Sequence, residues 1–171
     1  MHVAQTAFGT SSLDIVEIAR DYYDAIYRFC SRRVGVENAC DVTQETFITA
    51  QGALKRYRGE SSLITWLFGI AHNECRRFIR KSKVAPQLIE FDIPVHSGEG
   101  HWINRTCLEE ALSNLSPDHR EIVLLHEIEG LTYDEAALVL SVPVGTVKSR
   151  LHHAFLQLRK RLQDQEFREA V

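Results

Sequence analysis

The residues best suited to chemistry lie near the C-terminus, where Lys148, Ser149, Arg150, His152 and His153 follow Gly145-Thr146 with no acid among them. Ammonium, guanidinium, hydroxyl and imidazole groups at this spacing are equipped to bind phosphates and the edges of bases. Backbone amides at the start of a helix add a phosphate contact, helped by the helix dipole. A second cluster runs from Lys55 to Lys83, where eight Lys/Arg residues stand against Glu60 and Glu74. A third set, Asp41, Gln44 and Glu45, can share one exposed helix face and suits charge-assisted pairing with a basic partner helix. This is the chemistry of recognition. No Gly-rich phosphate loop, HExxH or nucleophile motif is present. His126-Glu127 is only a fragment, because Gly130 stands where the second histidine would be needed.

The elements that position these residues read as helices almost throughout. Leu13 to Arg33 places Ile15, Ile18, Ala19, Tyr22, Ile26 and Phe29 at three- and four-residue spacings. Asn38 to Tyr57 continues with Val42, Phe47, Ile48, Ala50 and Leu54. A break at Arg58-Gly59-Glu60-Ser61-Ser62 precedes a third helix from Leu63 to Lys81, whose inner face is expected to carry Trp66, Leu67, Ile70, Ala71 and Phe78. Val84 to Gly100, with Pro86, Pro94, Gly98 and Gly100, has no period and reads as a linker. Beyond it, Ser116-Pro117 is a helix start, with serine as cap and proline at the first helical position. Thr132-Tyr133-Asp134-Glu135 is a capping box. The expected fold is all-α: two small helical domains joined by a flexible linker, the C-terminal one containing a helix-turn-helix. The divisions are a tail over 1–12, a first domain over 13–82, a linker over 83–104, and a second domain with its tail over 105–171.

In that helix-turn-helix, Tyr133 to Leu140 forms the first helix, Ser141-Val142-Pro143 the turn, and Gly145-Thr146 opens the second. Val147, Leu151, Ala154 and Leu158 face the first helix. Lys148, Ser149, His152 and His153 occupy the opposite face, with Arg150 at its flank, and Arg159, Lys160 and Arg161 lie within reach of the backbone. A plain three-helix bundle with a basic outer face fits the same pattern.

Composition narrows the class further. The 171 residues are 44% hydrophobic and 25% charged, with a net charge of −3, ordinary values for a globular chain. The average hides segregation. Glu109 to Glu135 carries eight acids against Arg120, whereas Ala136 to Gln163 carries five basic residues and no acid. Two basic patches separated by acid imply two nucleic-acid contacts, leaving acidic faces for protein partners. Cys30, Cys40, Cys75 and Cys107 are scattered, which argues against a disulfide framework or a zinc ribbon. His72 and Cys75 on one helix face are at most a partial metal site. No run approaches about eighteen apolar residues and no secretory signal opens the chain, so a cytoplasmic protein without membrane insertion is expected.

These motifs together resemble a known family. Leu115-Ser116-Pro117, Leu131 to Ala137, and the run Pro143-Val144-Gly145-Thr146-Val147-Lys148-Ser149-Arg150-Leu151 closely resemble region 4 of the extracytoplasmic-function (ECF) sigma factors of bacterial RNA polymerase. Asp41-Val42-Thr43-Gln44-Glu45-Thr46-Phe47 resembles their region 2 signature. Tyr57 through Leu67 resembles the loop and helix that recognise the −10 element. The resemblance implies a transcription initiation factor with neither catalytic site nor cofactor. It assigns Asp41, Gln44 and Glu45 to the clamp helices of the polymerase β′ subunit, and a surface of region 4 to the β flap. Promoter DNA would be read at −35 by Gly145, Thr146, Lys148, Ser149, Arg150, His152 and His153. At −10 the readers would be Tyr57, Arg58, Ser61, Ser62, Leu63 and Asn73, with Arg76, Arg77, Arg80 and Lys81 as the cationic track; a base drawn from the melted strand would enter a pocket in the loop. A cognate anti-sigma factor is a further implied partner.

The chain departs from the family pattern in places. Leu63 stands where an aromatic is frequent, Ser141 where glycine is common, and His152 and His153 where aromatics or arginines are usual. Histidine is largely neutral at neutral pH, so −35 binding is expected to be either weaker or more acid-sensitive than an arginine would make it. Tyr57 is expected to be the exposed aromatic beside the loop, and Trp66 to belong to the core. Two rivals weigh less. A response regulator would need an α/β receiver, which the helical N-terminal half does not supply. A sigma mimic that only binds a regulator leaves both basic patches unexplained.

Overall fold

A computed structural model describes residues 14–82 and 105–169, and every described element is helical. The expected tail and linker lie outside these residues.

The first half is a three-helix bundle. Helix α1 (Ile15–Val34) starts at Asp14, whose carboxylate accepts from the Val16 amide at 3.0 Å. Glu17 in its first turn and Arg32 and Arg33 in its last complement the helix dipole. Gly35, at φ 83°, ends α1 and leads directly into α2 (Val36–Ala53). That positive φ is what lets the chain reverse with a single connecting residue. A 3-10 turn at Leu54–Arg56 and a bend at Gly59 (φ 73°) then lead into α3 (Leu63–Ser82). Ser62 Oγ accepts from the Thr65 amide at 3.2 Å and serves as the cap of α3. Ile26, Phe29, Ala39, Ala50, Leu67 and Ala71 are fully excluded from water, and the Phe29 and Phe68 rings stack at 4.8 Å.

The second half begins with α4 (Arg105–Ser113) and α5 (Pro117–Val123). Ser116 Oγ caps α5 through the His119 amide at 3.3 Å, with Pro117 at its first position, as expected. Arg120 ties the two helices together by donating to the carbonyls of Leu112, Ser113 and Leu115. A π-helical stretch (Leu124–Ile128) and Gly130 (φ 71°) lead to α6 (Tyr133–Leu140). The capping box forms in full: Thr132 Oγ1 accepts from the Glu135 amide at 3.3 Å, and the Glu135 carboxylate accepts from the Thr132 amide at 3.0 Å. Helix α7 (Val144–Glu169) buries Val147, Leu151, Ala154 and Leu158, the four residues expected.

Ser141, between α6 and α7, adopts the left-handed conformation with φ 55° and ψ 45°. A Cβ in that region is disfavoured, whereas glycine enters it freely. Ser141→Gly is therefore expected to stabilise the second half by about 1 kcal/mol, or about 3 °C in Tm, by thermal unfolding.

Two assignments of inner face are corrected. In α3 the buried apolar set is Leu67, Phe68, Ala71 and Cys75, with Thr65, His72 and Glu74 also buried, whereas Trp66, Ile70 and Phe78 are only half-buried. The three- and four-residue periodicity holds, but its phase is turned by one residue. In α2, Ile48 is 60% exposed and stands outside the core formed by Val42, Phe47 and Ala50.

The halves do not stand apart. Helix α6 packs across α3, and residues 49 to 97 positions apart in the chain bond across the seam.

Candidate nucleic-acid interface

Lys148, Ser149, His152 and His153 all project from the exposed side of α7. Burial of Val147, Leu151, Ala154 and Leu158 fixes that orientation, because the two sets share one helix in opposite phase. Lys148 Nζ lies 5.7 Å from the centre of the Tyr133 ring, a cation–π contact that aims the ammonium from the start of α6. Ser149 Oγ donates to the Thr146 carbonyl at 3.0 Å. The rings of His152 and His153 meet edge-on at 5.7 Å, and His153 also faces His119 at 6.3 Å. Arg150 is set apart: its guanidinium pairs with Asp118 of α5 at 2.5 Å. Gly145 is exposed and Thr146 half-buried at the head of the helix. The composite is a rigid, uncovered helix face of donors and cations, with the geometry for a major groove.

The second set gathers round an open cavity of about 560 Å³ at the head of α3. Tyr57, Arg58 and Ser61 line it from the loop, and Trp66 and Asn73 from the helix. Tyr57 is half-buried, its hydroxyl donating to the Ser61 carbonyl at 2.6 Å and its ring 5.0 Å from Trp66. Burial, followed by the neighbouring Tyr22, pushes the Tyr57 phenol above its ordinary pKa. Tyr57 and Trp66 thus form one aromatic unit at the cavity, where one was expected exposed and the other in the core. Ser62 Oγ and Thr65 Oγ1 lie 2.6 Å apart beneath it, and Leu63 is half-buried outside the cavity lining. Asn73, Arg76, Arg77, Arg80 and Lys81 are all exposed along α3. Arg77 is also engaged in ion pairs with Glu74 and, at 3.6 Å, with Glu45.

Asp41, Gln44 and Glu45 share the exposed face of α2. Ile48, one turn on, completes that face with an apolar group. Spacing would have revealed it, since Ile48 stands four residues from Gln44 and three from Glu45.

What sequence missed lies between the halves. Glu121 of α5 accepts from Arg33 Nε at 2.9 Å and from His72 Nδ1 at 3.1 Å. Arg32 Nη1 donates to Glu129 at 2.7 Å, and Thr65 Oγ1 donates to Glu135 at 2.8 Å. Burial by itself raises the Glu121 carboxyl, but the Arg33 charge and the His72 hydrogen bond reverse this and take it from 4.5 to about 2. Burial raises the Glu129 carboxyl above its usual value, with Arg33 and Arg32 pulling only partly against it. The acid run from Glu109 to Glu135 is where a signal existed, but no spacing rule identifies its long-range partners. His72 is thereby committed to Glu121, and Cys75 is buried beside Cys30.

A depressed carboxyl stabilises the fold above its unfolded pKa and loses that effect as pH falls through the folded one. The stability gap between wild type and Glu121→Gln is therefore expected to be full above about pH 5 and to close towards pH 2. Denaturant titrations across that range read it. A gap that widens in acid would contradict the assignment.

Family models match both halves: "Sigma-70 region 2" over residues 18–84 and "Sigma-70, region 4" over 105–158. The chain is 37% identical over 134 residues to the ECF RNA polymerase sigma factor SigC of Mycobacterium tuberculosis, covering 75% of this chain and 72% of that one. It is 31% identical over 163 residues to the RNA polymerase sigma factor YlaC of Bacillus subtilis, covering 86% and 91%. Among solved structures, the sigma factor RpoE of Bartonella quintana, crystallised with the anti-sigma factor NepR, shares its fold with a TM-score of 0.68 and 24% identity, over 88% of this chain and 97% of that one. Among the described residues, no helix is long and apolar enough to cross a membrane.

Proposed function

Because the chain belongs to the ECF RNA polymerase sigma factors, we propose that it carries core polymerase to promoters and reads them at two places, through region 2 (13–82) and region 4 (105–171). The α2 face of Asp41, Gln44, Glu45 and Ile48 docks on the β′ clamp helices, and region 4 on the β flap. Residues 83–104 link the two regions. The protein acts in the cytoplasm under the control of an anti-sigma factor.

The observation that carries this reading is the uncovered face of α7, where Lys148, Ser149, His152 and His153 stand opposite a fully buried apolar stripe. Such a helix binds −35 DNA by base-edge contacts, with Gly145 and Thr146 meeting the adjacent phosphates and Arg150 joining them when it exchanges Asp118 for a phosphate. At −10 the Tyr57–Trp66 unit and Asn73 receive an extruded base, while Arg58, Arg76, Arg77, Arg80 and Lys81 hold the strand by its phosphates. Ser61 and Ser62 offer hydroxyls to base edges, and Leu63 adds an apolar contact. Melting is driven by capture of the unpaired strand, so the protein needs no nucleotide hydrolysis of its own.

Run-off transcription with purified bacterial core polymerase on a pool of promoters tests the reading. Transcripts that appear only when the protein is added, and that share upstream elements, are expected. Absence of both core binding and transcripts would overturn it.

A further inference from the structure

His126 and Glu127 fall inside the π-helical stretch Leu124–Ile128. Its wide turn is closed by the Glu129 amide, which donates to the Leu124 carbonyl at 3.0 Å. A π turn holds more residues than an α turn, so the side chains on it leave the phase of the preceding helix. Leu124 and Leu125 stay in the core, whereas His126 is turned out to a half-buried position beside the start of α6.

There His126 Nδ1 lies 2.7 Å from the Leu131 carbonyl. A carbonyl only accepts, so this nitrogen carries a proton and donates. The bond spans the turn at Gly130 and holds the imidazole against the Tyr133 ring, with centroids 4.7 Å apart and planes tilted by 32°. Tyr133 is the first residue of α6, where the capping box fixes the backbone. Lys148 Nζ stands over the same ring at 5.7 Å. His126, Tyr133 and Lys148, from three successive elements, thus form one column that ends on the exposed face of α7.

A lysine needs such support to read a base. Its ammonium is a compact point charge on a flexible stem. Left free, it settles against phosphate, which attracts it strongly and carries no sequence information. Reading guanine O6 and N7 requires the ammonium to be held at the base edge. An aromatic face supplies that restraint without neutralising the charge. Arg150 is the contrast, because its guanidinium is paired with the Asp118 carboxylate.

We propose that His126 and Tyr133 are specificity-determining residues of the −35 reader, positioning the Lys148 ammonium on the guanine of one base pair. The inference rests on the sigma-factor reading of α7 and deepens it. Both residues act through Lys148. Their loss therefore removes selectivity at one position, while the Lys148 charge and its general attraction to DNA are kept.

Run-off transcription with core polymerase and the full-length chain tests this, on templates that carry each base pair in turn at every −35 position. Tyr133→Leu and His126→Leu are each expected to lose about 5-fold or more of the discrimination at one and the same position, and to keep it elsewhere. Tyr133→Phe retains the ring and is expected to match wild type. In a Lys148→Gln background neither leucine substitution is expected to change selectivity further, because the group they position is gone. A merely structural role would lower transcription from every template alike. Thermal unfolding followed by circular dichroism identifies a variant that does not fold. Tyr133 is 36% exposed, so Tyr133→Leu is expected to fold and, with Tyr133→Phe, decides the matter if His126→Leu does not. Unchanged selectivity in either folded leucine variant overturns the proposal, as does a loss that persists in the Lys148→Gln background. Wild type that yields no transcripts, or transcripts without a −35 preference, refutes the underlying reading and the proposal with it.

Discussion

Phe29→Ala is expected to destabilise region 2 by about 3–5 kcal/mol, the largest single effect on the fold. Phe29 is completely excluded from water and stacks on Phe68 at 4.8 Å. Truncation removes the transfer energy of the ring and leaves a cavity that three short helices cannot close. A second loss follows, because the Arg33 guanidinium lies 3.4 Å from the centre of the Phe29 ring and also donates to the Phe29 carbonyl at 2.8 Å. That cation–π contact contributes about 0.5–2 kcal/mol and aims Arg33 at Glu121. The variant is therefore expected both to unfold at lower urea and to expand before it unfolds. Urea titration followed by circular dichroism measures the first effect. A loss under about 1 kcal/mol would mean that the ring is not part of the core.

Lys148→Glu is expected to weaken binding to a −35 duplex by about 10- to 100-fold, with no loss of stability. The residue is exposed, and its one described contact is with the Tyr133 ring. Reversal removes a cation from the groove and sets a carboxylate against phosphate. The salt dependence should also become shallower, since fewer counterions are released. Fluorescence anisotropy with the promoter fragment recovered from run-off transcription, measured at several salt concentrations, reads both effects. Unchanged affinity would place the reading face elsewhere on region 4.

The elements were legible in the sequence because their signals are local. Ser116-Pro117, the Thr132–Glu135 box and the stripe of Val147, Leu151, Ala154 and Leu158 each depend on neighbours within one or two turns, and each forms as read. The family was legible for the same reason, through the run from Pro143 to Leu151. Phase was less secure. Trp66 and Ile70 belong to a flank because a wide apolar stripe leaves its centre undetermined within one residue, and packing against α1 and α2 selects Leu67 and Ala71. Ile48 misleads in the opposite sense, as an apolar residue that a helix wheel assigns inward and the bundle leaves exposed. The seam between the halves was not legible at all. Arg32 and Glu129 are 97 residues apart, and a charge on a helix carries no mark of whether its partner is water or another domain.

The one-sided polarity of that seam also limits how freely the two regions can be recombined. If regions 2 and 4 read separate DNA elements, as proposed, a chimera joining this region 2 to a relative's region 4 would be expected to read a hybrid promoter. The packing between the halves is not modular in that way. A donor region that lacks acids at the places of Glu121 and Glu129 would leave Arg32, Arg33 and His72 unanswered, and the buried charges would destabilise the seam of the hybrid. Drift at these positions is therefore constrained to paired changes, because a lone substitution strands a buried charge.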